Sequence, residues 1–388
     1  MKLGKMTDRK NNRKIGTGVK KYRKNILGAA AFLLIFVMIL SFVTTFFKMT
    51  DSVNIATIEG FYKEPENSID VMMIGASEVY ADYSATTAWK DYGYTSYSLG
   101  VSGVPGSLYK SMLRESLTRQ HPKLVVFEVN GFLQKDSYYD RTVQLHSWID
   151  NIHDEANKAD TIAEVVPEAE QDNFTNPLKL YHSNWKNIGK CAGSFTTRLG
   201  MMLSDVSYMK GFASVAKSSN CSSDKKKTLY FTDKSRGYLT DLLEYCKSRG
   251  VEKVLFARFP HEKEIKNPEV LTEVEDLVKS YGYDFVSFEN DKEVIGIEGR
   301  NDFYNSEHLN VKGSQKFTRF VGQYLSDNYR LPKEHSVKIT SQWKNCVKRA
   351  DEVIDACAKD TDMKLGNHYF EMSVYMPYRN AGFMTGSR

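Results

Sequence analysis

Residues 26–47, ILGAAAFLLIFVMILSFVTTFF, form a run of 22 residues without one charged side chain. At 1.5 Å rise per residue, a helix over this run is roughly 33 Å long, enough to cross the hydrocarbon core of a bilayer. A secretory leader has a shorter apolar region and ends in small residues at a cleavage site. This run ends in Phe46 and Phe47 followed by Lys48, so an uncleaved anchor is expected. A buried core helix is the plainer alternative, but such helices rarely go this far without a polar stripe. Residues 1–25 carry ten Lys or Arg and one acid, a local charge of +9, in a chain whose formal total is +5. The remainder therefore sums to −4, which argues against a nucleic-acid surface on the folded part. Basic residues beside a span stay on the cytoplasmic side. The expectation is a single pass through the plasma membrane, with a cytoplasmic tail over 1–25 and an extracytoplasmic body from residue 48.

That body is long enough for one large domain with insertions or for two domains. A chain with 41% hydrophobic and 12% aromatic residues can bury a core, which excludes global disorder and fibrous repeats. Residues 51–67 read as a short polar stalk. Strand-like runs then alternate with helical ones: 69–75, 95–99, 123–129, 252–257 and 283–288 as strands, with 83–92, 106–119, 232–248, 270–281 and 311–325 as helices. This alternation predicts an α/β body over 48–331, a mostly parallel sheet covered on both faces, with ligands beyond the C-terminal strand ends. Residues 133–228 lack strong strands and end in SSNCSSDKKK. They read as an inserted helical cap, with a second domain as the alternative. In the tail, 332–388, Ile339, Trp343, Val347, Ala350, Ile354 and Cys357 recur every three or four residues, which predicts an amphipathic helix packed on its own domain. The five cysteines show no CxxC or Cys/His spacing, so neither a metal nor any other cofactor is expected.

The chemistry begins where the first strand ends. IGASEVY places Ser77 two residues after Gly75, at the sheet edge where active sites collect. A serine hydroxyl needs a base to become a nucleophile. Of the eight histidines, His308 stands out, in DFYNSEHLNVKGSQKFTRF before the last sheet helix, a loop the topology returns to the same edge.

IGASEVY, then YSLGVSGVPGS after the second strand, VVFEVNGF on the third and DFYNSEHLNVKGSQKFT before a closing helix together resemble the SGNH (GDSL-type) hydrolase superfamily. The likeness is to its membrane-anchored branch, which includes the teichoic-acid D-alanylation protein DltD and the alginate and peptidoglycan O-acetyltransferases. It spans about residues 69–325. The resemblance implies a three-layer, flavodoxin-like fold with Ser77 as nucleophile and His308 as base. It also implies an oxyanion hole from the Ser77 N–H, Gly103 (alternatively Gly100) and Asn130. Losing one such donor costs about 3–4 kcal/mol. The superfamily commonly has Asp three residues before the histidine. Here that position is Asn305, which can orient the ring without offsetting its developing charge, and Asp302 is the alternative acid. Arg258 and His261, after the fourth strand, are candidate substrate contacts.

Each assignment also has a plainer reading. Ser77 could cap a helix, His308 could be a satisfied loop histidine, the glycines could serve a turn, and Asn130 could cap its own turn. His121 and His182 read as structural or surface residues. Two function classes follow. One is an extracytoplasmic esterase or O-acyltransferase working through acyl-Ser77 on a cell-envelope polysaccharide or teichoic acid, with a membrane-bound O-acyltransferase as the partner the resemblance implies. The other is a non-catalytic polymer-binding or accessory protein on the same scaffold.

Overall fold

The computed structural model describes residues 4–48, 50–175, 181, 184–203, 207–217, 226–251, 253–367 and 373–375. His182, Cys221 and most of the 218–227 loop lie outside them. The chain divides into two compact units, one of residues 1–49 and 177–195, the other of 50–176 and 196–388.

In the first unit, helix α1 (Gly4–Phe47) contains the apolar run. Tyr22–Phe47 is long and apolar enough to cross a membrane, and none of its residues is fully buried. Phe42 and Phe46 meet Phe195 at ring-centroid distances of 5.5 and 5.7 Å, and Asn184 Nδ2 donates to the Phe47 carbonyl at 2.8 Å. Part of the segment read as an insertion therefore packs on the last turns of the apolar helix.

The second unit is a mixed α/β body. In chain order its main elements are α2 (Ser52–Tyr62), β1 (Val71–Gly75), α3 (Ser77–Asp82), α4 (Ala85–Tyr92), β2 (Ser96–Gly100), α5 (Tyr109–Leu117) and β3 (Leu124–Glu128). Within the insertion lies β4 (Ser214–Ala216), and after it come α6 (Asp233–Ser248), β5 (Val254–Arg258), α7 (Glu269–Ser280), β6 (Asp284–Ser287), α8 (Val311–Asn328), α9 (Val337–Asn367) and β7 (Ser373–Tyr375). The five-stranded sheet runs β2-β1-β3-β5-β6, every pair parallel. Alternate residues of β1 feed opposite cores. Met72 and Ile74 join Met112, Leu239 and Val274 on one face, while Val71 and Met73 join Ala88, Phe317, Val321 and Trp343 on the other. With both faces covered, β1, β3 and β5 are nearly continuous apolar runs, whereas β2 (SYSLG) carries two buried serines and the edge strand β6 (DFVS) is partly exposed. The strand order reverses between β1 and β3, the switch point at which ligands of such sheets bind.

Two expectations are corrected. The polar stalk is α2, buried on nearly every side: Ile55, Ile58 and Phe61 are in the interior, and its polar residues point inward as well. Thr57 Oγ1 donates to the Gly100 carbonyl at 2.9 Å, and Asn54 Oδ1 accepts from Ser102 N at 2.8 Å. The insertion also contributes a strand, β4, which pairs antiparallel with β7. The tail helix is as expected: Trp343, Ala350, Ile354 and Cys357 of α9 are buried against the body.

The segment before β4 is clamped by a buried ion pair. Lys210 Nζ donates to both Glu64 oxygens, at 2.8 and 2.7 Å, and lies 4.9 Å from the Trp343 ring centroid. The Lys210 carbonyl accepts from Ser98 N at 3.0 Å. Gly211 follows at φ +86, where a Cβ would stand 2.1 Å from the Ser98 carbonyl oxygen, so no other residue fits. Removing one member of a buried pair strands the other charge. Lys210→Met is therefore expected to lower unfolding free energy by about 3–5 kcal/mol, and adding Glu64→Leu to recover most of it, as read by denaturant titration of each variant.

Candidate active site

The residues 303–309 form a tight hairpin. Phe303 and Leu309 form an antiparallel bridge, and Tyr304 N donates to the His308 carbonyl at 3.1 Å. Asn305 sits at the turn, and its Oδ1 accepts from Glu307 N at 2.8 Å and His308 N at 3.0 Å, the local bonding that favours Asn in turns. Because both partners are N–H donors, this atom must be the amide oxygen. His308 Nδ1 lies 2.9 Å from the same oxygen and so must carry its proton. That leaves Nε2 as the acceptor, 2.6 Å from Ser77 Oγ. The backbone of the turn thus selects the tautomer a general base requires.

Ser77 is the first residue of α3, whose cap position is Ala76. It is therefore not a helix cap, and its N–H belongs to the first turn, where helical amides have no intrahelical acceptor. The same short helix anchors the base. Asp82, its last residue, is fully buried, and its Oδ1 accepts from Leu309 N at 2.8 Å. Burial raises the Asp82 carboxyl well above its ordinary value, against the Leu309 hydrogen bond, which lowers it. Tyr304 stacks on the His308 ring at a centroid distance of 5.1 Å.

Behind Ser77 lies a layer of buried charge. Glu78 is 1% exposed. Its Oε1 accepts from Asn130 Nδ2 and lies 3.7 Å from His261 Nε2, and its Oε2 is 3.4 Å from Ser77 Oγ. Asn130 Oδ1 accepts from Arg258 Nη1 at 2.7 Å, and Arg258 Nε donates to Glu289 Oε1 at 2.9 Å. His261 Nδ1 is 3.0 Å from the same Glu289 oxygen. Burial and the adjacent Glu78 charge push Glu128 up to about 8, while Arg258 and His261 act the other way. Burial opposes ionisation of Glu289, but His261 and Arg258 hold it down at about 2. Burial and Arg258 work against protonation of His261, and the Glu289 and Glu78 carboxylates outweigh them and raise it.

The structure brings Ser77, His308 and Asn305 together and sets Asn130 against Glu78, the residue next to Ser77. One hydrogen of the Asn130 amide goes to Glu78, which leaves the second as its remaining donor. Gly103 adopts φ +65 in the turn after β2, and its carbonyl accepts from Tyr138 Oη at 2.8 Å. Gly100, the alternative, is a strand residue whose Cβ would stand 2.8 Å from the Ala76 carbonyl oxygen, so it serves close packing. Asp302 is likewise no triad acid: its Oδ2 accepts from Glu298 N at 2.6 Å and Lys316 Nζ at 2.8 Å. Arg258 and His261 are both completely buried and support the site from behind rather than meeting substrate at its surface. Their position at a strand end was legible from sequence, but the direction of their side chains was not. His121 bonds Asn67 Oδ1 at 2.6 Å, a structural role. Sequence reasoning missed Glu78 and Asp82, and the signal available was two acids within six residues of the nucleophile in an otherwise apolar helix.

Burial lowers the His308 ring below the ordinary histidine value of 6.5, while Glu78 and Glu307 act in the opposite direction. A base works in its neutral form, so kcat/KM for an ester should rise with pH at a midpoint below 6.5 and be level through neutrality. A pH–rate profile with its rising limb centred above 7 would contradict this. Compared with known proteins, the chain matches no protein-family model, and no curated protein matches it significantly.

Proposed function

We propose that this protein is a membrane-anchored serine acyl-esterase or O-acyltransferase of the SGNH type, acting outside the cytoplasm on a cell-envelope polysaccharide or a teichoic-acid-like polymer. The observation that carries the reading is the contact of Ser77 Oγ with His308 Nε2 at 2.6 Å, with Nδ1 fixed on Asn305 at 2.9 Å. The membrane-spanning length of α1 and the basic residues before it support the location.

In this reading Ser77 Oγ attacks the acyl carbonyl as His308 Nε2 takes its proton. The oxygen that becomes negative is met by the Ser77 N–H, by Gly103 and by the free Asn130 amide hydrogen. Collapse of the tetrahedral intermediate breaks the ester C–O bond, and the departing alkoxide takes the proton from Nε2. A hydroxyl of the acceptor polymer, or water, then gives its proton to His308 and attacks acyl-Ser77, releasing the serine. An anchor keeps such a site close to donors and acceptors held at the membrane, which a diffusing substrate would not need. A membrane-bound O-acyltransferase is the class of partner that would deliver the acyl group.

The full-length protein in detergent is expected to release chromophore from a chromogenic acetyl ester and to be labelled at Ser77 by a fluorophosphonate. Ser77→Ala should abolish both while leaving the melting temperature within a few degrees of the parent. Undiminished turnover in that variant would place the nucleophile elsewhere. A parent that neither turns over nor labels would favour a non-catalytic polymer-binding protein.

A further inference from the structure

We propose that Glu78, the residue next to the nucleophile, supplies the negative charge that Asn305 lacks and stabilises the imidazolium that forms on His308 during acyl transfer. The inference rests on the acyl-transfer reading and adds a positioning residue to it.

The need for such a group follows from the chemistry. When His308 takes the Ser77 proton it becomes a cation in a buried place, since its side chain is only 8% exposed as a residue. In a Ser-His-Asp triad the aspartate offsets that charge, and replacing it by its amide costs about 10⁴ in rate. Asn305 offers a neutral carbonyl oxygen at that position. A charge must therefore come from elsewhere, or the site must be slow.

Glu78 meets the requirement by geometry. Its Oε2 is 3.4 Å from Ser77 Oγ, which is itself 2.6 Å from His308 Nε2, so the carboxylate lies no farther from the ring than those two contacts laid end to end. It is 1% exposed, so water does not screen it. A buried carboxylate stays ionised only where partners compensate it, and Asn130 Nδ2 and His261 Nε2 do so on the Oε1 side. The Oε2 side is left facing the serine and the histidine.

The other acids near the ring are spoken for. Glu307 is 42% exposed and paired with Lys227 at 2.5 Å, so solvent and the lysine weaken its field at the ring. Asp302 is occupied by Lys316. Asp82 is tied to Leu309 N, and burial raises its carboxyl and so disfavours a charge there. Glu128, in the same cluster, is raised by burial and by the Glu78 charge. On the cationic side, His261 faces Glu78 from the loop after β5 and Lys227 faces Glu307, and both oppose protonation of His308. A unit charge at this range in an interior of effective dielectric constant near 20 is worth about 10² in rate, less than the directly bonded triad acid.

The test is a double-mutant cycle on kcat/KM for the acetyl ester, with Glu78→Gln, Asn305→Asp and the pair. Glu78→Gln is expected to lose about 10²-fold. Asn305→Asp, which places a carboxylate where triads have one, should gain at least about tenfold more in the Glu78→Gln background than in the parent. A folded Glu78→Gln protein that is equally impaired with either residue at 305 would overturn the proposal, because a purely structural glutamate is not rescued from across the ring. If Glu78→Gln does not fold, the parent decides. Asn305→Asp raising kcat/KM by about 10² or more there would show that the site lacks its counter-charge, and a smaller gain would support Glu78. Should the parent show no ester turnover, the acyl-transfer reading fails separately, and the His308 titration still reads Glu78. By histidine NMR its midpoint should fall by about two pH units in Glu78→Gln, and an unmoved midpoint would overturn the proposal.

Discussion

The hydrogen bond from Leu309 N to the buried Asp82 carboxyl is the contact on which the site depends. Ser77 and His308 are separated by most of the body, and only tertiary structure can bring them into contact. Helix α3 does this with six residues: Ser77 starts it and Asp82, the anchor of the histidine loop, ends it. Burial raises the Asp82 carboxyl, which disfavours a second charge beside Glu78. The hairpin then completes the alignment, because two N–H donors fix the Asn305 oxygen and that oxygen fixes the imidazole tautomer. A similar economy holds on the other side, where α2 uses Asn54 and Thr57 to hold the turn after β2.

The charge layer behind Ser77 is costly for the fold. Among the described residues, Arg258 Nη2, His261 Nε2 and Glu128 Oε1 are buried without a hydrogen-bond partner. Networks with unmade bonds are generally less stabilising than an apolar core of the same volume. Their arrangement does organise the site, since opposite signs alternate from Arg258 through Glu289 and His261 to Glu78. Asn130 ties the chain laterally by accepting from Arg258 and donating to Glu78.

Much of this was legible in the sequence. The uncharged run and the five strands follow from local periodicity, and Ser77 and His308 from the few residues able to do the chemistry, whereas Asn130 and Asn305 were picked out only by the resemblance of the motif order to the SGNH hydrolases. What escaped was set by direction rather than by pattern. SVNIATIEGFY has no polar face because its Asn54 and Thr57 turn inward to bond the β2 loop, so it resembled a stalk. Strand β4 is only three residues long and takes its partner from the far end of the chain, beyond any local signal. Arg258 and His261 stand at a strand end, but burial turns them away from the surface. Glu78 looked like an ordinary first-turn acid favoured by the helix dipole. Its closeness to His261 and His308 exists only once three strand ends meet.

The claim that Ser77 and His308 form a working acyl-transfer centre is tested most directly by trapping the intermediate. The full-length protein would be mixed with an activated acetyl ester, quenched in acid within the first turnover, digested and mapped by mass spectrometry. The account predicts one acetyl group, on the peptide containing Ser77, which appears in the parent, decays on incubation at neutral pH and never forms in Ser77→Ala. Acetylation confined to surface lysines, or equal on that peptide in His308→Ala and the parent, would contradict it.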